Sequence, residues 1–235
     1  MSTLPPELPR VLHFVTGGFS GATQVAVDLV RAHGESGLFD SLLVLRRKRQ
    51  TDPVRIAALR AQGLAVEVVP GWSHAATMWQ LVRLCRKFRP DLLVAHGFSE
   101  HLWGRYAGLI ARVPRLVQVE HNSRERYTRW RQAQMLWLAR RTQAIVGVSQ
   151  GVREALLARG VDPSKTLAIP NGIRLEPYAQ AHEHPYASRE PGIVMAARFA
   201  RQKDHASLLH ALALLRQRGQ TPALLLAGGG KASAL

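Results

Sequence analysis

Short β-rich apolar runs alternate with longer amphipathic stretches along almost the whole chain, and this alternation leaves few folds open. VLHFVT from Val11, SLLVL from Ser41, LAVEVV from Leu64, DLLVAH from Asp91, RLVQVE from Arg115, AIVGVS from Ala144 and TLAIP from Thr166 read as strands. Successive strands separated by helix-length segments cannot pair as hairpins. They predict a parallel sheet with helices on both faces, an α/β fold of Rossmann-like type. The first strand leads into a helix over residues 24–32. Met78, Leu81, Val82, Cys85 and Phe88 recur at helical spacing, with Arg83, Arg86 and Lys87 on the other faces. A basic amphipathic helix of this kind suits a membrane surface, but within an α/β pattern it is expected to cover the sheet. Residues 124–140 are predicted helical, with Trp130, Met135 and Trp137 as anchors.

The pattern breaks between Leu175 and Pro191, where three prolines and two histidines interrupt any apolar period. It then restarts: a strand GIVMAA, a helix over 203–218, a strand ALLLA and the glycine run Gly228-Gly229-Gly230. This predicts an N-terminal Rossmann-like domain over 8–175, a linker over 176–190 and an incomplete second domain over 191–235. Two strands and one helix bury too little apolar surface to stand alone, so the chain is expected to stop partway through that second domain.

Composition narrows the class. Hydrophobic residues make up 46% of the 235 residues, enough for a real core. No run approaches the ~18 apolar residues that span a bilayer. The start, MSTLPPELPR, lacks the apolar segment of a secretory leader, and the single cysteine, Cys85, has no partner for an internal disulfide. A cytoplasmic protein is expected. Lys and Arg number 32 against 16 Asp and Glu, a net charge of +16. Such a field attracts polyanions, including phosphorylated substrates and anionic lipid. The densest cluster, Arg46-Arg47-Lys48-Arg49, reads as a solvated loop after a strand, with contact to an anionic membrane or acceptor as the alternative. Zinc-finger spacing and aromatic RNA-binding signatures are absent, so nucleic acid is not expected as a partner.

Several positions could carry chemistry. The turn Thr16-Gly17-Gly18-Phe19-Ser20-Gly21 lies between a strand and a helix, where glycine lets an anion approach the backbone and the helix N-terminus. It equally suits a tight structural turn. Its spacing is neither the dinucleotide G-x-G-x-x-G nor a P-loop. His96 and His121 each follow a strand, at the carboxyl edge where open α/β sheets bind ligands. Ser149 suits a helix cap, and Pro170-Asn171-Gly172 a turn. Arg198 and Lys203 flank a strand-to-helix turn and could clamp a diphosphate, or be two more surface cations in a basic chain.

The order of these phrases resembles glycosyltransferase family 4, which has the GT-B fold. The phrases are Gly17-Gly18, Asp91 to His96, His121-Asn122, Val148-Ser149-Gln150-Gly151-Val152, Pro170-Asn171-Gly172-Ile173, Ala197-Arg198 to Lys203-Asp204, and Gly228-Gly229-Gly230. The resemblance implies transfer of a sugar from a nucleotide-diphosphate sugar to a glycan or lipid-linked acceptor, with retention of configuration and no active-site metal or other cofactor. It implies that Gly17, Gly18, Gly228 and Gly229 line the donor site and that Arg198 and Lys203 hold the leaving diphosphate. His121 would lie by the transferred sugar, with His96 and Asn122 on the acceptor side. The family's Glu-x7-Glu element does not occur in this sequence, which implies weak or no autonomous transfer.

Two other readings stay open. A nucleotide-sugar epimerase shares the GT-B architecture, and a non-catalytic module would bind acceptor or membrane only. A nicotinamide-dependent dehydrogenase is disfavoured by the first turn, which lacks the dinucleotide spacing.

Overall fold

The computed structural model describes residues 8–123, 127–183 and 191–229. These fall into two compact units that divide between Ile173 and Arg174. The first unit is built on seven strands: β1 (Arg10–Thr16), β2 (Asp40–Arg46), β3 (Val66–Val69), β4 (Leu92–His96), β5 (Arg115–Glu120), β6 (Ala144–Gly147) and β7 (Thr166–Ala168). All pair in parallel, in the order β3-β2-β1-β4-β5-β6-β7. The order reverses between β1 and β4, which makes the crevice at their carboxyl ends the natural ligand site of such a sheet.

The helices are α1 (Gly21–Ser36), α2 (Pro53–Ala61), α3 (His74–Phe88), α4 (Glu100–Ile110), α5 (Arg129–Ala139) and α6 (Gln150–Ala158). They cover both faces, which is why β1 reads as an almost unbroken apolar run. Leu12 and Phe14 join Leu81, Val82 and Cys85 of α3 and Ala107 of α4. On the opposite face Val15 joins Ala26, Val27 and Val30 of α1 and Ile56 and Leu59 of α2. Burial inside the first of these cores pushes the Cys85 thiol up to about 12, so the lone cysteine is an inert core residue. Short polar side chains fix the helix starts. Asp52 accepts from the Val54 N–H at 2.9 Å, and Ser149 accepts from the Val152 N–H at 3.2 Å.

Three sequence expectations change. The helix expected over 124–140 runs only over Arg129–Ala139, started by the Thr128 hydroxyl, which accepts from the Arg131 N–H. Residues 124–126 lie outside the described residues. Of its expected anchors only Met135 is buried, beside Leu138 and Ala139, while Trp130 and Trp137 are exposed. Arg46, read as part of a solvated loop, is a buried residue of β2, and Lys48 reaches back to Glu100, so only Arg47 and Arg49 are solvated. Helices α2 and α4 have no counterpart in the sequence reading. In α4, Glu100, His101 and Arg105 are buried beside Leu102 and Ala107, so polar residues interrupt the apolar stripe that would have marked it.

The second unit holds β8 (Gly192–Ala196) and β9 (Ala223–Ala227), paired in parallel, with α7 (His205–Gln217) between them. A 3-10 helix over Glu176–Glu183 occupies the first part of the segment expected as linker, whose residues 184–190 lie outside the described residues. Val194, Leu209 and Leu225 are each more than half exposed. Among the described residues no helix is long and apolar enough to cross a membrane.

Candidate functional site

The turn after β1 opens the crevice. Gly17 donates its N–H to the Arg46 carbonyl at 2.7 Å, and a Cβ on Gly17 would stand 2.7 Å from that same oxygen. Close approach to β2 therefore explains this glycine, and its N–H is not available to a ligand. Gly18 differs, for its N–H has no partner among the described residues. The Thr23 hydroxyl of α1 donates to the Thr16 carbonyl at 2.8 Å and locks the turn to the helix it starts.

Sheet register brings three histidines into a diagonal line. His13 in β1 pairs with Val94, and His96 lies two residues further along β4 on the same face. His96 pairs with Val119, and His121 follows two residues on. Each step crosses one strand and advances one side-chain repeat. His13 Nδ1 lies 3.1 Å from His96 Nε2, and His96 Nδ1 lies 3.3 Å from His121 Nε2. The rings of each pair are stacked, with centroids 5.4 and 5.6 Å apart. His13 and His96 are buried, while His121 is half-buried at the open end. Burial drives His13 down to about 3 and His121 to about 4, and it holds His96 well below the ordinary range, with His13 and His121 adding to the effect. All three are neutral at neutral pH.

His96, expected on the acceptor side, is thus enclosed behind His121 and is only 1% exposed, so it cannot touch an acceptor directly. Asn122 is exposed one residue beyond His121. His13 escaped the sequence reading, although a histidine in the middle of VLHFVT was the available signal: a doubly buried strand has no place for a polar side chain without a partner.

The opposite face of β5 carries a second polar chain. Glu120 Oε1 accepts from the His121 N–H at 3.1 Å, and the Tyr127 hydroxyl lies 3.3 Å from Glu120 Oε2. Tyr127 Oη lies 2.8 Å from His101 Nε2, and Arg105 donates to His101 Nδ1 at 2.7 Å and to the Thr142 hydroxyl at 3.0 Å. Arg105 is only a donor, so His101 Nδ1 must accept and Nε2 carries the proton. That proton goes to Tyr127, which in turn donates to Glu120. Burial lowers Arg105 only to about 10, so it remains charged. Burial first, and then Glu120, raises Tyr127 above its ordinary value. This chain fixes the backbone of His121 from behind. A third cluster sits at the end of β2: buried Glu100 accepts from Lys48 Nζ at 2.8 Å and from Arg46 Nη1 at 3.4 Å, while Arg46 Nη2 meets His74 Nδ1 at 2.9 Å. Glu100 also opens α4, where a carboxylate suits the helix N-terminus.

In the second unit, the Ala197 N–H donates to the Ala227 carbonyl at 2.9 Å and the Phe199 N–H to the Gly229 carbonyl at 3.0 Å. Arg198, between them, is therefore pinned beside the glycine run. A side chain on Gly228 would collide with the Ala197 carbonyl, which explains that glycine, whereas Gly229 has open space around it. Gly230 lies outside the described residues. Lys203 ends a 3-10 turn over Arg201–Lys203 rather than opening the helix, which starts at His205 with Asp204 as its cap. Arg198 and Lys203 are both exposed.

This architecture defines a GT-B type protein. HepE of Anabaena in complex with UDP superposes with a TM-score of 0.68 at 15% identity, over 94% of this chain and 69% of that one. A glycosyltransferase from Rickettsia africae ESF-5 gives 0.76 at 14% identity, over 94% and 61%. The UDP-GlcNAc 2-epimerase of Neisseria meningitidis bound to UDP-GlcNAc gives 0.61 at 11%, over 93% and 65%. At these identities the likeness is one of fold. The sequence pattern of glycosyltransferase family 4 matches residues 19–177, more than half of the chain, and the chain belongs to that family. No curated protein matches the sequence significantly.

Proposed function

We propose that this chain binds a nucleotide-diphosphate sugar and serves its transfer, with retention, to a glycan or lipid-linked acceptor in cell-envelope polysaccharide or glycolipid assembly. The observation that carries the reading is His121, held half-open at the carboxyl edge of the sheet in a chain of glycosyltransferase family 4. In this reading His121 serves the transferred sugar. Arg198 and Lys203 neutralise the donor diphosphate as it leaves, so the step needs no metal. The solved complexes of HepE with UDP and with UDP-glucose support a uridine nucleotide as the first donor to test.

The test is binding followed by product analysis. UDP-, GDP- and ADP-hexoses are titrated against the isotopically labelled chain, and products are read by mass spectrometry with and without a lipid and glycan extract. One sugar nucleotide should bind, and Arg198→Ala or Lys203→Ala should weaken it roughly tenfold or more, as expected for loss of a charge-assisted phosphate contact. Binding by none of the donors overturns the reading. Conversion of the sugar without any acceptor would favour an epimerase, the second activity represented among the structural relatives.

A further inference from the structure

The three histidines on one face of the sheet have a property that neither their positions nor the proposed reaction requires. Each neutral imidazole carries a single N–H, and the two contacts, His13 Nδ1 to His96 Nε2 and His96 Nδ1 to His121 Nε2, use one nitrogen from each end ring and both from the middle one. Only two proton arrangements satisfy both contacts. Either every ring donates toward His121, or every ring donates toward His13.

The buried end decides between them. His13 Nε2 is enclosed and has no hydrogen-bond partner among the described residues. If the chain ran toward His13, that nitrogen would be a buried N–H with nothing to receive it. If it runs toward His121, the nitrogen is a bare lone pair. Among backbone groups a buried orphan N–H is rarer than an under-satisfied acceptor, and the same preference decides here. Enclosure also keeps the chain uncharged, since burial disfavours imidazolium at His13 and His96 alike.

We propose that His13 and His96 are positioning residues that hold His121 as its neutral Nδ1–H tautomer. His121 Nε2 is then occupied as an acceptor, and the remaining ring nitrogen is a hydrogen-bond donor. That donor suits an oxygen of the sugar or of a phosphate, and the same nitrogen does not act as a base. The assignment of this donor to a sugar nucleotide rests on the function proposed above. The tautomer itself does not.

The two are separated by nitrogen-15 NMR of the histidine rings in the 235-residue chain, recorded at neutral pH. His121 should show a protonated Nδ1 and a bare Nε2. His101 is an internal control, since Arg105 fixes it independently as the Nε2–H form. In His13→Phe the first donor is gone, and His121 should relax toward the Nε2–H form that free histidine prefers, while His101 stays unchanged. His13→Asn, whose carboxamide can donate to His96 Nε2, should restore the wild-type pattern. Should His13→Phe disturb the His101 signals, and so the fold, the wild-type spectrum and His13→Asn still decide. An Nε2–H form of His121 in the wild type, or a His121 signal indifferent to His13→Phe in a folded protein, overturns the proposal. If the Nδ1–H form is found but no sugar nucleotide moves the His121 signals, the relay stands and the donor assignment falls.

Discussion

Arg105 has no exposed surface, yet it stays charged because a single directed chain of hydrogen bonds connects it through His101 and Tyr127 to Glu120. Removing one end of such a system leaves the other charge buried and under-compensated. Arg105→Ala should therefore lower unfolding stability by about 3–5 kcal/mol in urea titrations, whereas Tyr127→Phe should cost only ~1–2 kcal/mol. A loss for Arg105→Ala no larger than that for Tyr127→Phe would mean that the network carries little of the local stability.

The histidines set a pH dependence of definite sign. Their folded-state values, about 3 for His13 and about 4 for His121, lie below the ordinary 6.5, so the unfolded chain takes up protons first on acidification. Their contribution to stability is complete above about pH 6.5 and is lost as pH falls from there, toward about 4 for His121 and about 3 for His13. Each contributes a few kcal/mol, because a tenfold difference in proton affinity between the folded and unfolded chain is worth about 1.4 kcal/mol. Urea midpoints should fall steadily below pH 6.5, less steeply in His13→Phe. A midpoint that holds constant down to pH 4.5 would contradict the burial that lowers these groups.

At the scale of the element, α4 is the helix that the sequence hid and on which the site depends. It lies against the sheet through Gly104 and Gly108, one turn apart. A Cβ on Gly104 would stand 2.9 Å from both the Ala95 Cβ and the Phe14 ring, and one on Gly108 would stand 2.6 Å from Leu116. This approach lets His101 and Arg105 reach beneath β5. Gly104→Val should destabilise by about 1–3 kcal/mol through overpacking and should shift the His121 NMR signals. Normal stability would show that the helix can stand off from the sheet. The elements of the second unit contrast with this packing. β8 and β9 leave Val194 and Leu225 mostly exposed, so their amides should exchange with deuterium far faster than those of β1 and β4. Equal protection of both strand sets would contradict that exposure.

At the scale of the whole molecule, the net charge of +16 is the dominant long-range property. Exposed Trp130 and Trp137 lie among arginines, with the Arg141 guanidinium 3.8 Å from the Trp137 ring centroid. Vesicle co-sedimentation should show binding to anionic lipid at low salt that fades as ionic strength rises past ~0.15 M, because the Debye length then falls below about 8 Å. Absence of binding at low salt would remove the membrane surface from the proposed setting.

The sequence by itself determined the architecture. Strand-length apolar runs separated by helix-length segments admit only a parallel sheet with covered faces, and Ser149 and Met135 behave as their local patterns predict. It also located His121, because a residue that follows a buried parallel strand must emerge at the carboxyl edge. Local pattern could not decide what lies behind that residue. The His13–His96–His121 line exists only because strands β1, β4 and β5 are neighbours in a particular register, although they are far apart in the chain. Similarly, Arg46 in a run of four basic residues looks solvated until the fold brings Glu100 beside it. Periodicity reports which face of an element is buried. Which polar groups meet inside is decided by strand order and register, and those are properties of the tertiary structure alone.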